Sequence, residues 1–128
     1  MNLLLDTHTF LWFVWNDPQL SDMAKNLIAD ADNDVFPSMA SAWELVIKVS
    51  IGKLILAHPV DLFLPDQLQR NNIQLLPIAL PHTLRVAVLP FHHKDPFDRM
   101  LIAQSLVETM PLVSADAVLD AYGVRRLW

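Results

Sequence analysis

The sequence predicts an α/β protein built on a parallel sheet with helices on both faces. Short strand-like runs alternate with longer stretches of helical spacing from one end to the other. The first run, Asn2 to Asp6, is apolar enough to be buried on both sides, as strands of a covered parallel sheet are. No glycine-rich, serine-rich or charged stretch reads as a linker and no repeat is visible, so residues 1–128 are expected to form one domain.

Taken in order, Asn2 to Asp6 reads as a strand and Thr7 to Trp15 as an apolar helix directly after it. Ser21 suits the N-cap of a second helix to about Ala31, with Ala24, Leu27 and Ile28 on one face. Asp34 to Pro37 is a brief strand. Ser38 or Ser41 then caps a helix through Ile51, which Gly52 stops. Pro59 to Asn72 has helical spacing, with Pro65 expected to break or restart it. Ile73 to Ile78 is strand-like, and Pro81 to Leu89 is a short helix bounded by prolines. The clearest helix start follows: Asp95 suits N-cap and Pro96 the first helical position, with Ile102, Leu106 and Val107 continuing the apolar face. Pro111 to Ser114 is a strand, followed by a helical turn and an extended Val124 to Trp128.

Composition narrows the function classes. Without cysteine there are no disulfides, thiolate metal sites or cysteine nucleophiles. With only Gly52 and Gly123, the chain has no glycine loop to cradle a phosphate or dinucleotide. No leader is visible and the most apolar stretch, Phe10 to Trp15, is too short to span a bilayer, so a cytoplasmic protein is expected. The apolar fraction of 53% exceeds the roughly 45–50% usual for soluble domains, which points to an interface as well as a core. Net charge is −5, from 9 basic and 14 acidic side chains. This is not the footprint of a sequence-independent nucleic-acid binder; a phosphate-bearing substrate would need metal ions and a few local cations.

The acids that matter are Asp6, Glu44, Asp98 and Asp116. Asp6 and Asp116 fall at or just beyond strand ends, and Glu44 and Asp98 in the opening turns of helices at the same edge. In open α/β sheets that edge is where ligands bind. Each acid also has a local explanation. Asp6 and Asp116 can cap or turn, Ser41-x-x-Glu44 matches a capping box, Glu44 can pair with Lys48, and Asp98 can offset a helix dipole. Collected together, however, they repel unless a cation joins them. Hard divalent ions prefer oxygen ligands, so Mg²⁺, with Mn²⁺ as the alternative, is the expected cofactor. Asp95 is assigned to capping. Thr7 and Ser114 adjoin strand-end acids and can orient carboxylates or a water. Arg99, beside Asp98, is expected to hold a phosphate or carboxylate, with His93 and Lys94 as a small basic patch suited to phosphate contact. His8 and His82 are read as structural.

Asp6-Thr7-His8, Ser38-x-x-Ser41-x-Trp43-Glu44 ahead of Gly52-Lys53-Leu54, His93-Lys94-Asp95-Pro96-Phe97-Asp98-Arg99 with Ala103-Gln104, and Ser114-Ala115-Asp116 together resemble the PIN-domain family. The resemblance is closest to the VapC-type toxins of toxin–antitoxin pairs and spans Asn2 to Val124. It implies a three-layer αβα fold, magnesium-dependent endoribonuclease activity, and a metal-binding catalytic quartet at Asp6, Glu44, Asp98 and Asp116. It also implies an RNA substrate, a homodimer and an inhibitory antitoxin protein. Ser114 stands where many relatives have threonine, which keeps the hydroxyl. The choice of RNA over DNA rests on the resemblance alone. Trp12, Trp15, Val46, Ile47, Leu54 and Leu56 are candidates for a groove or dimer surface. Rival readings are a non-catalytic interaction module, in which the acids only cap, and a phosphoryl-transfer or phosphatase domain using Asp6. The latter lacks the usual Asp-x-Asp.

Overall fold

Three leucines in succession cannot share one face of a strand, because side chains alternate across it. The computed structural model, which describes residues 1–128, shows how β1 (Asn2–Leu5) resolves this. Leu3 and Leu5 enter one core with Phe10, Ala24, Leu45 and Phe63, while Leu4 enters a second with Leu101, Ile102, Leu112 and Leu119. A core on each side of the sheet makes three layers. β1 lies inside the order β2-β1-β3-β4, with β2 at Asp34–Pro37, β3 at Leu112–Val113 and β4 at Arg126–Leu127. All pairings are parallel; Leu5 lies opposite Pro37 on one side and Val113 on the other. Chain order reverses between β1 and β3, so the carboxyl ends of these two strands flank the switch point of the sheet.

The helices are α1 (Thr7–Val14), α2 (Asp22–Ala29), α3 (Met39–Ser50), α4 (Val60–Arg70), α5 (Leu80–Val86) and α6 (Pro96–Glu108). A 3₁₀ turn, Ala117–Tyr122, precedes β4. Local chemistry sets their starts. Ser21 accepts from the Ala24 N–H and Ser38, not Ser41, caps α3 through the Ala40 N–H. Asp95 caps α6 through the Phe97 and Asp98 N–H groups, with Pro96 following it. Gly52, at φ +75°, supplies the left-handed residue after α3. His82 is buried; its Nδ1 accepts from the Ala79 N–H and its Nε2 lies 2.7 Å from Glu108, tying α5 to α6. His8 is exposed and packs on Trp12.

Two elements differ from the sequence expectation. Pro65 does not break α4, which runs through it because Phe63, Leu64 and Leu68 pack on the core around that turn. Ile73 to Ile78 is not a strand. It makes one bridge, Leu76 to Ser38, flanked by Leu76 N–H to Pro37 O (2.8 Å) and Met39 N–H to Leu76 O (2.9 Å). Pro77 has no N–H to extend the ladder.

Leu4 is fully buried in the central strand. Leu4→Ala is expected to cost about 2–5 kcal/mol of unfolding free energy, measured by urea denaturation.

Candidate metal centre

β1 delivers Asp6 to the carboxyl edge of the sheet, where it becomes the N-cap of α1. Its Oδ1 accepts from the Thr9 N–H at 2.7 Å, and its own N–H donates to Val113 O. Asp6 is 8% exposed. The next residue, Thr7, reaches across to α3: its Oγ1 donates to Glu44 Oε1 at 2.6 Å and shares a 2.9 Å hydrogen bond with Ser41 Oγ. Ser41 and Glu44 lie three residues apart on one helix face, so the spacing that looked like a capping box instead serves this buried contact. Glu44 Oε2 pairs with Lys48 Nζ at 3.0 Å, the i,i+4 partner its position predicts.

The other two acids arrive from beyond β3 and from the start of α6. Asp116 caps the 3₁₀ turn through the Val118 N–H (3.1 Å), and its own N–H donates to Ser114 Oγ (3.1 Å). Ser114 is fully buried and braced by β4, with Arg126 Nη1 donating to its carbonyl at 3.0 Å. Asp98 occupies the third position of α6. His93 Nε2 lies 3.0 Å from Asp98 Oδ2 and 3.5 Å from Asp116 Oδ2. One ligand atom from each of His93, Asp98 and Asp116 can be chosen so that all three lie within 4.8 Å of one another.

Asp6 and Glu44 join this cluster electrostatically. Asp98 is pushed up from 3.8 to about 7, first by burial and then by the charge of Asp95. Glu44 and Asp6 push it further up, while His93 opposes them. An acid whose protonation responds to three other carboxylates sits where a cation would relieve the strain. Oxygen donors of this kind fit a hard divalent ion.

Arg99 does not face this cluster, contrary to the expectation drawn from its adjacency to Asp98. Consecutive helix residues point about 100° apart, and this turns Arg99 into the fold, where it is 6% exposed. Nη1 donates to Pro90 O (2.9 Å) and His93 O (3.4 Å), and Nη2 to Val86 O and Leu89 O (both 3.2 Å). The guanidinium also stacks 4.2 Å from the Phe91 ring. It is a clamp on the loop before α6, with no donors turned to a phosphate. Lys94 is exposed beside an apolar hollow that includes Trp43 and Phe97. Tyr122, which sequence reading passed over, accepts from the His93 N–H at 2.7 Å. No local signal marks it, because its partner lies 29 residues away.

Residues 3–124 match the PIN domain family, and the chain belongs to that family. It is similar to Ribonuclease VapC16 of Mycobacterium tuberculosis, at 33% identity over 70 residues, 52% of this chain and 50% of that protein. The chain thus spans about half the length of the curated relative it matches. Its fold resembles that of VapBC2 from Rickettsia felis, solved bound to a promoter DNA fragment, at TM-score 0.73 and 15% identity over 99% of this chain and 98% of the other. It also resembles VapBC-5 of Mycobacterium tuberculosis, from the VapBC family of toxin-antitoxin systems, at TM-score 0.60 and 16% identity over 98% and 95% of the two chains. At these identities the structural likeness is one of fold.

A carboxyl raised in the folded state binds more protons than in the unfolded chain between pH 4 and 7, so its contribution to stability is lost as pH rises through that window. Metal-free protein should therefore melt at progressively lower temperature from pH 5 to pH 8. Asp98→Asn should show a shallower decline in the same thermal scans.

Proposed function

We propose that the chain is a divalent-cation-dependent endoribonuclease, acting as the toxin of a toxin–antitoxin pair. The observation that carries this reading is the acidic surroundings of Asp98: Asp116 shares the His93 ring with it, and the charges of Glu44 and Asp6 act on it. Membership of the PIN domain family and the likeness to a ribonuclease and to toxin–antitoxin proteins support it. The same acids would hold Mg²⁺ or Mn²⁺. A bound divalent ion would supply Lewis acidity toward a phosphodiester and toward water.

The chain's own residues prepare that chemistry. Asp6 commits one oxygen to the α1 cap, which fixes the direction of the other. Thr7 and Lys48 hold Glu44 by its two oxygens, and Ser114 sets the turn that presents Asp116. Lys94, exposed in the loop ahead of α6, would meet a phosphate of the substrate strand. No cysteine is present, and the buried hydroxyls of Thr7 and Ser114 are engaged in holding carboxylates or their turns, so water is the nucleophile in this reading. The capping-only rival accounts less well for Glu44, which lies beyond the first turn of α3 and accepts from Thr7 across 37 residues.

Asparagine caps a helix as well as aspartate does, so Asp6→Asn should keep the fold. Its RNA cleavage should fall by about 100-fold or more, the scale of losing charge stabilisation at a reacting centre. Full cleavage by that variant removes the mechanism, and binding of Mn²⁺ by neither protein removes the cofactor.

Partners follow from apolar surface. A groove of about 410 Å³ between α1 and α3 is lined by Leu11, Trp12, Trp15, Leu45, Lys48 and Leu54, and borders Thr7. Four of the six residues singled out for an interface behave differently from a single surface: Trp12, Leu54 and Leu56 pack partly on the core, while Val46 lies exposed. A second apolar area, on α5 and the loops beside it, exposes Ile78, Leu84, Val88 and Phe91, with Trp43 nearby on α3. We assign the groove to an antitoxin segment and the second area to a homodimer contact, in a cytoplasmic protein; no helix is long and apolar enough to cross a membrane. Light scattering should give twice the 14.5 kDa chain mass, and a larger complex with the product of the neighbouring gene. A strict monomer that binds no such product counts against both assignments.

A further inference from the structure

We infer that His93 is a positioning residue, whose protonated ring nitrogen lies against Asp98 and Asp116 and holds them for a shared cation, and is not itself a ligand of that cation. The inference rests on the cation-dependent reading above. Distance alone points the other way. A ring nitrogen grouped within 4.8 Å of two carboxylate oxygens looks like the third member of a metal-binding set.

The ring's other nitrogen decides the matter. His93 Nδ1 accepts from the Asp95 N–H at 3.1 Å. A nitrogen that accepts carries no proton, so the ring proton is on Nε2. That nitrogen lies 3.0 Å from Asp98 Oδ2 and 3.5 Å from Asp116 Oδ2, a close electrostatic contact shared between the two carboxylates. A protonated Nε2 has no lone pair to give a metal. Moving the proton to Nδ1 would set two donors face to face at 3.1 Å and leave the Asp95 N–H without its acceptor.

The residue is also held from its backbone. Its N–H donates to Tyr122 Oη at 2.7 Å, and its carbonyl accepts from Arg99 Nη1 at 3.4 Å. Asp95, whose N–H selects the tautomer, also caps the helix that carries Asp98. Ring, helix start and acid are thus fixed by one short run of backbone. Two carboxylates that share one ring N–H at these distances keep lone pairs for a cation, so the contact holds Asp98 without consuming it.

Three measurements test this. Nitrogen-15 NMR of the metal-free wild type should show the Nε2–H tautomer at His93. Pulsed electron paramagnetic resonance of the Mn²⁺-loaded wild type should show no nitrogen coupling from a directly bound imidazole. In calorimetric titrations with Mn²⁺, His93→Gln, which sets an amide N–H near the reach of Nε2, should bind close to wild type. His93→Ala should bind roughly 10- to 100-fold more weakly, the range for partners that orient metal ligands. If His93→Ala does not fold, the wild-type spectra and His93→Gln decide. An Nδ1–H tautomer, a directly coupled nitrogen, a His93→Gln variant with affinity lowered more than tenfold, or equal affinity in all three proteins overturns the inference and leaves the cation reading standing. A wild type that binds no Mn²⁺ at millimolar concentration overturns both.

Discussion

The site is governed by repulsion among carboxylates that sheet topology brings to one edge. Each acid meets that repulsion with a different local device. Asp6 and Asp116 accept backbone N–H groups at helix starts. Glu44 has an ammonium on one oxygen and a hydroxyl on the other. Asp98 has only an imidazole contact, with Asp95 close by as a further like charge. The residual cost shows at Asp98, whose proton affinity is raised by burial and by the neighbouring carboxylates. A divalent ion would be drawn most strongly to that point.

Repulsion of this kind would splay a loosely built edge. Here the elements that carry the acids are pinned by both cores. β1 places alternate leucines above and below the sheet, so Asp6 cannot shift without disturbing both layers. α6 buries Leu101, Ile102 and Ala103 almost completely. Arg99, one residue after Asp98, gathers carbonyls of the preceding loop and holds it against the same helix. A buried guanidinium is costly unless its donors are matched, and the backbone matches them.

Much of this was legible in the sequence because it depends on short-range rules. Asp95-Pro96 defined the start of α6, Ser21 that of α2, and the alternation of runs gave the parallel three-layer plan. The four acids could be located at one edge because strand ends and helix starts follow from periodicity. What could not be read was direction. Adjacency made Arg99 look like a neighbour of Asp98 in space, whereas helical rotation sends it to the opposite environment. Ser41 looked like a cap because its spacing to Glu44 allows one, yet Ser38 takes that place and leaves Ser41 for Thr7. Ile73 to Ile78 had strand composition, but Pro77 leaves it a single bridge at Leu76. Tyr122 and the ring contacts of His93 depend on how the 3₁₀ turn folds back, which no local pattern encodes.

The last strand has a bearing on handling the protein. β4 is an edge of two residues, yet the Ser114 N–H donates to Leu127 O and Arg126 ties the Ser114 carbonyl to Asp120. The turn bearing Asp116 is therefore buttressed by β4. A proteolytic nick just before Arg126 would leave most of both cores in place while unhooking that buttress, so a preparation could look intact by helix content and still have lost its shape where it matters.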